Sequence, residues 1–275
     1  MSSTKRPRPR GRSLCGWLVA SVVVFLGAGC NGSLGLDSFV PLDWGLITLD
    51  HVAANGTDYT RPQALFYSSV SSPSLSGRGA SDVCGLFPYP SPSSDEAVDE
   101  ISAGESVTLD LQGAQYSLVP TQIGSRRPYT VPAPGIAYRP GDSVTVHVPG
   151  SSDGFPQMTI RGRTAEPFTL GPVDTGAAVT FRVTWSPAGD DSSRLVLSLQ
   201  YHDDLTPGSG LNAQVFCTFL DDGEATVPVL AARSWTSASG PRRVQAVRWR
   251  SVLESKDDAR LYLVSTYTVT KTSFP

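Results

Sequence analysis

The chain has 275 residues, of which 22 are Lys or Arg and 25 are Asp or Glu, so its formal net charge at pH 7 is −3. Five basic and no acidic residues lie before residue 30, which leaves 17 basic against 25 acidic residues in the rest, a net charge of −8. Binding to nucleic acid or electrostatic docking to anionic lipid needs clustered Lys and Arg. The charge balance therefore argues against both, and the length beyond residue 29 fits one large or two small domains.

The first thirty residues have the three parts of an export signal. A basic head spans residues 5–12, an apolar run spans 17–26, and small residues follow up to Cys30. The apolar run is shorter than the roughly 20 residues that a membrane-spanning helix needs. The pattern predicts a secretory signal peptide.

Residues 26–30, Leu-Gly-Ala-Gly-Cys, resemble the lipobox of bacterial lipoproteins. The resemblance implies that residues 1–29 are cleaved off, that the thiol of Cys30 is acylated, and that residues 30–45 form the lipidated cysteine and a tether. The lipobox usually has Leu three places before the cysteine, where this chain has Gly27. Several acyl chains give stable membrane anchoring, whereas a single chain binds reversibly.

A further expectation concerns the destination of the chain, and one alternative to lipidation stays open. Asn31, rather than Asp, follows the cysteine, and by the sorting rule of enteric lipoproteins the resemblance then implies the outer membrane. The alternative is an ordinary signal peptide cleaved near Ala28 or Gly29, with Cys30 left as a free thiol.

Only two cysteines, Cys84 and Cys217, remain in the body of the chain. In an exported protein two such cysteines most simply form a disulfide. The alternative is a pair of buried free thiols.

The body of the chain is predicted to be all-β, because apolar residues alternate with polar ones and Gly or Pro turns separate the alternating runs. The short stretch 228–235 is predicted as one helical turn, since Pro suits the first helical position. The predicted strands, in chain order, cover residues 46–53, 64–67, 83–87, 107–111, 116–119, 144–148, 179–185, 194–201, 215–219, 225–227, 247–249 and 261–269.

Strands at intervals of about 10–15 residues, without a long helical period, favour two β-sandwich modules. We place the N-terminal β module at 46–164 and an immunoglobulin-like β-sandwich at 165–275, whose size and strand count fit that fold. The alternative is one continuous β structure.

A succession of short segments over most of residues 46–270 resembles a loose group of secreted and lipid-anchored β proteins of Gram-negative bacteria. The resemblance implies a β fold and no catalytic residue. The segments are Ala64–Tyr67, the region of Cys84, Pro140–Val146, Gly154–Pro156, Val183–Trp185, Val215–Cys217 and Asp222–Gly223.

Catalytic signatures are weak. The three histidines, His51, His147 and His202, do not have the spacing of zinc ligands. Residues 150–154 match the Gly-x-Ser-x-Gly elbow of serine hydrolases, but the elbow needs a helix after Ser152, and the Phe-Pro pair that follows disfavours one. We interpret the segment as a turn, and a hydrolase with a dispersed triad ranks as the third functional hypothesis.

Acidic pairs at predicted strand ends suggest calcium, which prefers clustered oxygen ligands. Because Asp also favours ordinary turns, and no spaced calcium-loop motif is present, the turn interpretation is preferred and no cofactor is expected. The candidate calcium ligands are Asp190, Asp191, Asp221 and Asp222.

Trp249 lies between Arg248 and Arg250 and could stack on a sugar or a peptide through its ring and the guanidinium groups. Alternation favours another interpretation, an inward tryptophan with outward arginines. Trp185 is predicted in the core, and Trp235 is a second candidate for an exposed ring.

Together these patterns predict a membrane-anchored lipoprotein of the cell envelope that acts as a non-catalytic interaction or structural module. Its expected partners are the membrane, through acyl chains, and a protein or glycan. A carbohydrate-binding envelope protein, with or without calcium, is the alternative.

Overall fold

The computed structural model describes residues 42–54, 56–69, 82–89, 99–173, 181–203 and 210–272. Cys30, the predicted signal peptide and most of the predicted tether lie outside these residues. Within them the fold is almost entirely β, as predicted, with one short helix. No helix in the described residues is long and apolar enough to cross a membrane.

Sixteen strands and one helix make up the described part of the chain. In chain order they are β1 (Leu42–Ala54), β2 (Thr57–Ser69), β3 (Val83–Pro88), β4 (Asp99–Glu100), β5 (Val107–Leu111), β6 (Ala114–Pro120), β7 (Tyr129–Thr130), β8 (Ile136–Ala137), β9 (Ser143–Val148), β10 (Met158–Arg163), β11 (Phe181–Thr184), β12 (Ser193–Tyr201), β13 (Ala213–Leu220), β14 (Glu224–Val227), α1 (Val229–Thr236), β15 (Arg242–Lys256) and β16 (Ala259–Lys271).

Fourteen strands join in one sheet, whose main path runs β10-β9-β5-β6-β7-β2-β1-β16-β15-β12-β13-β3, while β11 and β14 form a separate pair. The first and last described long strands, β1 and β16, lie side by side and run parallel, from Asp43 opposite Ala259 to Asp50 opposite Thr266. The other pairs of the main path are antiparallel.

One face of the central strands β2, β1, β16, β15, β12 and β13 carries two apolar cores, and we call it the core face. Over β1, β2 and the start of β16, residues such as Ile47, Phe66 and Leu261 pack under β5, β9 and β10. Over β12, β13 and β15, residues such as Leu197 and Val244 pack against β11, β14 and α1, whose Trp235 is fully buried there. Alternation explains why both cores lie on one face, since side chains of one parity along each strand point to the same side of the sheet.

The opposite side, the reverse face, has a smaller apolar cluster. Val196, Trp249 and Val264 are buried there, with Leu46 and Phe216 packed against them. Burial on both faces explains why β12 is covered almost along its whole length.

Strands from both predicted modules belong to the same sheet. The β15–β16 hairpin contributes to both cores, because Leu261 and Leu263 lie in the first core and Val244 and Ala246 in the second. The immunoglobulin-like description of 165–275 stays a prediction.

Two local predictions need correction. The tether was placed up to residue 45, but β1 already begins at Leu42 and Trp44 is buried in the sheet. Strand β10 was not predicted, because Gly162 and the neighbouring arginines conceal its short alternation of buried Met158 and Ile160.

Candidate functional site

The disulfide between Cys84 and Cys217 is present, as predicted. It joins neighbouring strands, β3 and β13, across residues whose Cα atoms are 4.1 Å apart. The bridge fastens β3, a strand that comes early in the chain, to a strand 133 residues later.

Arg248 is almost fully buried and bonds to Asp221 through two nitrogens. Its Nε lies 2.6 Å from Oδ2 and its Nη2 lies 3.1 Å from Oδ1. Asp221 also accepts bonds from Nε1 of Trp185, at 2.8 Å, and from Oγ of Ser193, at 2.7 Å. The carbonyl oxygens of Pro167 and Ser186 accept further hydrogen bonds from the guanidinium group. These bonds offset the cost of burying the two charges.

Arg250, one step along the same face, is also buried and binds two other carboxylates. Glu166 accepts from Nε and Nη2, both at 2.8 Å, and Asp190 accepts from Nη1 at 2.8 Å. The bond from Arg250 holds the pKa of the Asp190 carboxyl well below its usual range. Both arginines therefore act as internal cross-links at the junction of the two cores.

This geometry corrects the predicted stacking site. Trp249 and Trp235 are 6% and 0% exposed, and Arg248 and Arg250 are 1% and 4% exposed. The inward tryptophan was expected, but the outward arginines were wrong, because carboxylates of Asp221, Glu166 and Asp190 compensate both guanidinium groups on the core face. Trp185 is buried in the second core, as predicted.

The same contacts involve two of the four candidate calcium ligands. Asp221 and Asp190 already bind guanidinium groups, and the neighbouring Asp191 and Asp222 are not gathered with them into a cluster. The described residues contain no group of three or more His, Cys, Asp or Glu side chains that could hold a metal ion.

Ser152 lies in an exposed turn after β9, and the chain continues through buried Phe155 into β10 without a helix. His147, the histidine nearest in sequence, contacts Oγ1 of Thr159 at 3.1 Å. His51 stacks on the ring of Tyr267, with ring centroids 4.2 Å apart. The segment is a turn, as the sequence indicated.

The reverse face forms an open groove of about 460 Å³, and we call it the reverse-face groove. Its volume lies in the range of small-ligand sites, roughly 300–1,000 Å³. It crosses β1, β16, β15, β12 and β13 and thus spans about 19 Å, or four strand spacings of about 4.8 Å. Its apolar floor consists of Leu46, Val196, Phe216, Val247, Trp249 and Val264.

Polar side chains line one end of this groove in a connected network. Ser198 donates to Oε1 of Gln214 at 2.7 Å, and Gln200 donates to Ser198 at 3.0 Å and to Gln245 at 3.4 Å. Arg243 completes the network by donating to Gln200 and to the Tyr89 hydroxyl. Each amide is thereby held in a fixed orientation.

The other end of the groove carries hydroxyl groups and one carboxylate. Thr266 donates to Oδ1 of Asp50 at 2.7 Å. In the described part of the chain, the hydroxyls of Thr48 and Thr268 and the amide nitrogen of Gln245 form no hydrogen bond within the protein, and all three residues are partly exposed. The groove thus offers free donors and acceptors above an apolar floor.

A scan against models of protein families finds no match, and a search of curated proteins finds no similar one. The choice of this groove as the candidate site is therefore based on its geometry alone. The sequence contains one signal of it: Ser198 and Gln200 on β12 share the phase of Val196, opposite to the core residues. Alternation does not reveal that Gln214 and Gln245 lie beside them, because strand neighbours depend on topology.

Proposed function

We propose that the protein is a lipid-anchored, non-catalytic binding protein of the cell envelope, and that the reverse-face groove is its ligand site. The observation that carries the proposal is the groove itself, where oriented amides and free hydroxyls stand over an apolar floor. The export signal, and the resemblance of residues 26–30 to a lipobox, support the anchoring part and an outer-membrane location.

A short neutral glycan is the ligand class that fits best. Amide and hydroxyl side chains each offer both donors and acceptors, as sugar hydroxyls do. Among the described residues, Asp50 is the charged side chain that lines the groove, and Arg243 adjoins its other end through the Gln200 network; both are hydrogen-bonded within the protein. Phe216, which is partly exposed, offers an apolar surface to a sugar ring.

A peptide fits the groove less well. Extended peptides commonly bind to sheets by adding to an edge, where main-chain groups are unpaired. The five strands that form the groove are interior strands of the sheet, so their main-chain groups already pair with neighbours. Recognition on this face must use side chains, which suits a hydroxyl-rich ligand.

An array of neutral and acidic oligosaccharides tests the ligand class, followed by calorimetric titration of the neutral oligosaccharide that binds best. We expect Gln245→Ala and Phe216→Ala each to weaken binding about tenfold, which corresponds to about 1.4 kcal/mol. Gln115→Ala is the matched control, since Gln115 is exposed on β6, far from the groove.

Two results would contradict the glycan proposal. One is a preference for acidic oligosaccharides, and the other is binding that survives both groove substitutions. Unchanged unfolding midpoints would show that the variants are still folded, so that a loss of binding is not due to unfolding.

The anchor has a separate test, the intact mass of the protein from the membrane fraction. We expect a chain that begins at Cys30 and is heavier by its acyl groups, and we expect Cys30→Ser to abolish the acyl mass and release the protein from membranes. A chain without acyl mass that begins elsewhere would show an ordinary secreted protein.

A further inference from the structure

Strand β3 is an edge of the sheet with an unusual concentration of exposed apolar side chains. Among the described residues, nine large apolar side chains are exposed, and six of them lie on β3, on the adjoining end of β13 or on α1, which contacts β3. These six are Val83, Leu86, Phe87, Leu220, Val229 and Leu230. Sheet edges normally avoid such surfaces, because an apolar edge pairs readily with another strand.

The unpaired main-chain groups of β3 can be assigned from its register. Cys84 faces Cys217 with a Cα separation of 4.1 Å, the short spacing of a pair that is not hydrogen-bonded. The N–H and C=O groups of Cys84 and Leu86 therefore point away from β13, whereas those of Val83, Gly85 and Phe87 point toward it. In the described residues no strand pairs with this outer side.

This pattern is self-complementary. If two copies of β3 run antiparallel with Gly85 opposite Gly85, Cys84 of each copy pairs with Leu86 of the other and forms two hydrogen bonds. Four main-chain hydrogen bonds then join the copies about a two-fold axis, and such symmetric dimers are the commonest protein oligomers.

Side chains in this register also match. Val83 of one copy lies opposite Phe87 of the other on the reverse face, and aromatic with β-branched pairs stabilise sheets. Gly85 has no side chain at the axis, and the ring of Phe87 from the same strand lies over it, 2.7 Å from the position that a Cβ would take. Asp82, the charged residue nearest to the strand, and Pro88 lie three residues on either side of Gly85. Asp82 of one copy therefore faces Pro88 of the other, and like charges do not meet.

We propose that β3 is a homodimer interface, in which the sheets of two copies join across antiparallel β3 strands centred on Gly85. Leu86 of each copy adds an apolar contact on the side of α1, where Leu230 is 81% exposed. The interface adjoins the reverse-face groove, since the Phe87 ring packs edge-on against Phe216 with centroids 6.2 Å apart. Its main-chain hydrogen bonds nevertheless use different groups from the groove's side chains, so dimer formation and glycan binding are measured separately.

Photo-crosslinking in intact cells tests this proposal with the full chain. A benzophenone amino acid replaces Phe87, which is 50% exposed and tolerates an aromatic substitute. We expect an adduct of twice the mass of the chain. An adduct of another mass would overturn the proposal by showing a different protein at the edge, and so would the absence of any adduct.

A second measurement uses the purified protein in sedimentation equilibrium. We expect Leu86→Lys to raise the dimer dissociation constant at least tenfold, because it places two charges at the joined edge. Leu253→Lys is the matched control, since Leu253 is an exposed leucine on β15. Equal dissociation constants for both variants, or a monomer in the unaltered protein, would overturn the proposal.

Discussion

The two faces of the central sheet bury polar groups in different ways. On the core face, Arg248 and Asp221 form an ion pair with all their strong bonding groups satisfied inside the protein. On the reverse face, Gln200 and Ser198 are also buried, but their network ends at groups such as Gln245 that reach solvent. A closed network stabilises the fold, whereas an open one leaves bonding capacity for a ligand.

The largest expected effect comes from breaking the closed network. Asp221→Asn leaves the Arg248 guanidinium buried without its counter-ion, and we expect a loss of about 3–5 kcal/mol in the free energy of unfolding. Asp50→Asn, on the reverse face, removes a partly exposed carboxylate that bonds to Thr266, and we expect a loss below about 1 kcal/mol. Urea unfolding of both variants measures the two losses in the free energy of unfolding. Equal losses would contradict the difference expected between the two faces.

The next largest expected loss in the free energy of unfolding comes from removing the disulfide. Cys84→Ala with Cys217→Ala opens a loop of 133 residues, and we expect a loss of about 2–4 kcal/mol. Because Gln214 on β13 donates to the carbonyl of Pro88 on β3, loosening β3 should also weaken ligand binding at that end of the groove. Urea unfolding and titration of the double variant check both expectations, and reduction of the unaltered protein should reproduce them. An unchanged unfolding midpoint would contradict the role assigned to the bridge.

The smallest effect concerns pH. The bond from Arg250 lowers the pKa of Asp190 in the folded state below the unfolded value of about 3.9. A lowered pKa contributes stability that is present above the unfolded pKa and is lost as the pH falls through the folded pKa.

Asp190→Asn should therefore cost stability at pH 6, and the difference from the unaltered protein should shrink as the pH falls from 5 toward 2. Since Asp190 is about one third exposed, we expect less than about 1 kcal/mol. Asp191→Asn is the control, and a difference that stays constant with pH would contradict the assignment.

Much of the fold follows from local pattern. The strands near 107–111, 144–148 and 195–201 show clear alternation, and their apolar residues lie in the cores. The pairing of Cys84 with Cys217 followed from chemistry, since the predicted export signal implies an oxidising compartment, where two body cysteines most simply pair.

The candidate site was less accessible to sequence reasoning. Alternation around Trp249 predicted outward arginines, because nothing in the local sequence shows that Asp221 and Glu166 approach from elsewhere. The groove depends on which strands become neighbours, and the parallel pairing of β1 with β16 has no local signal.

That pairing has a consequence for the order of folding. β1 is synthesised long before one of its two neighbours in the sheet, β16, which lies more than 200 residues later in the chain. Such distant contacts form slowly, because a long loop must close before they contribute. The sheet is complete only once β16 has been synthesised, so β1 cannot gain this neighbour while the chain is still being made. Removal of the final strand should leave β1 with an open edge and both cores incomplete.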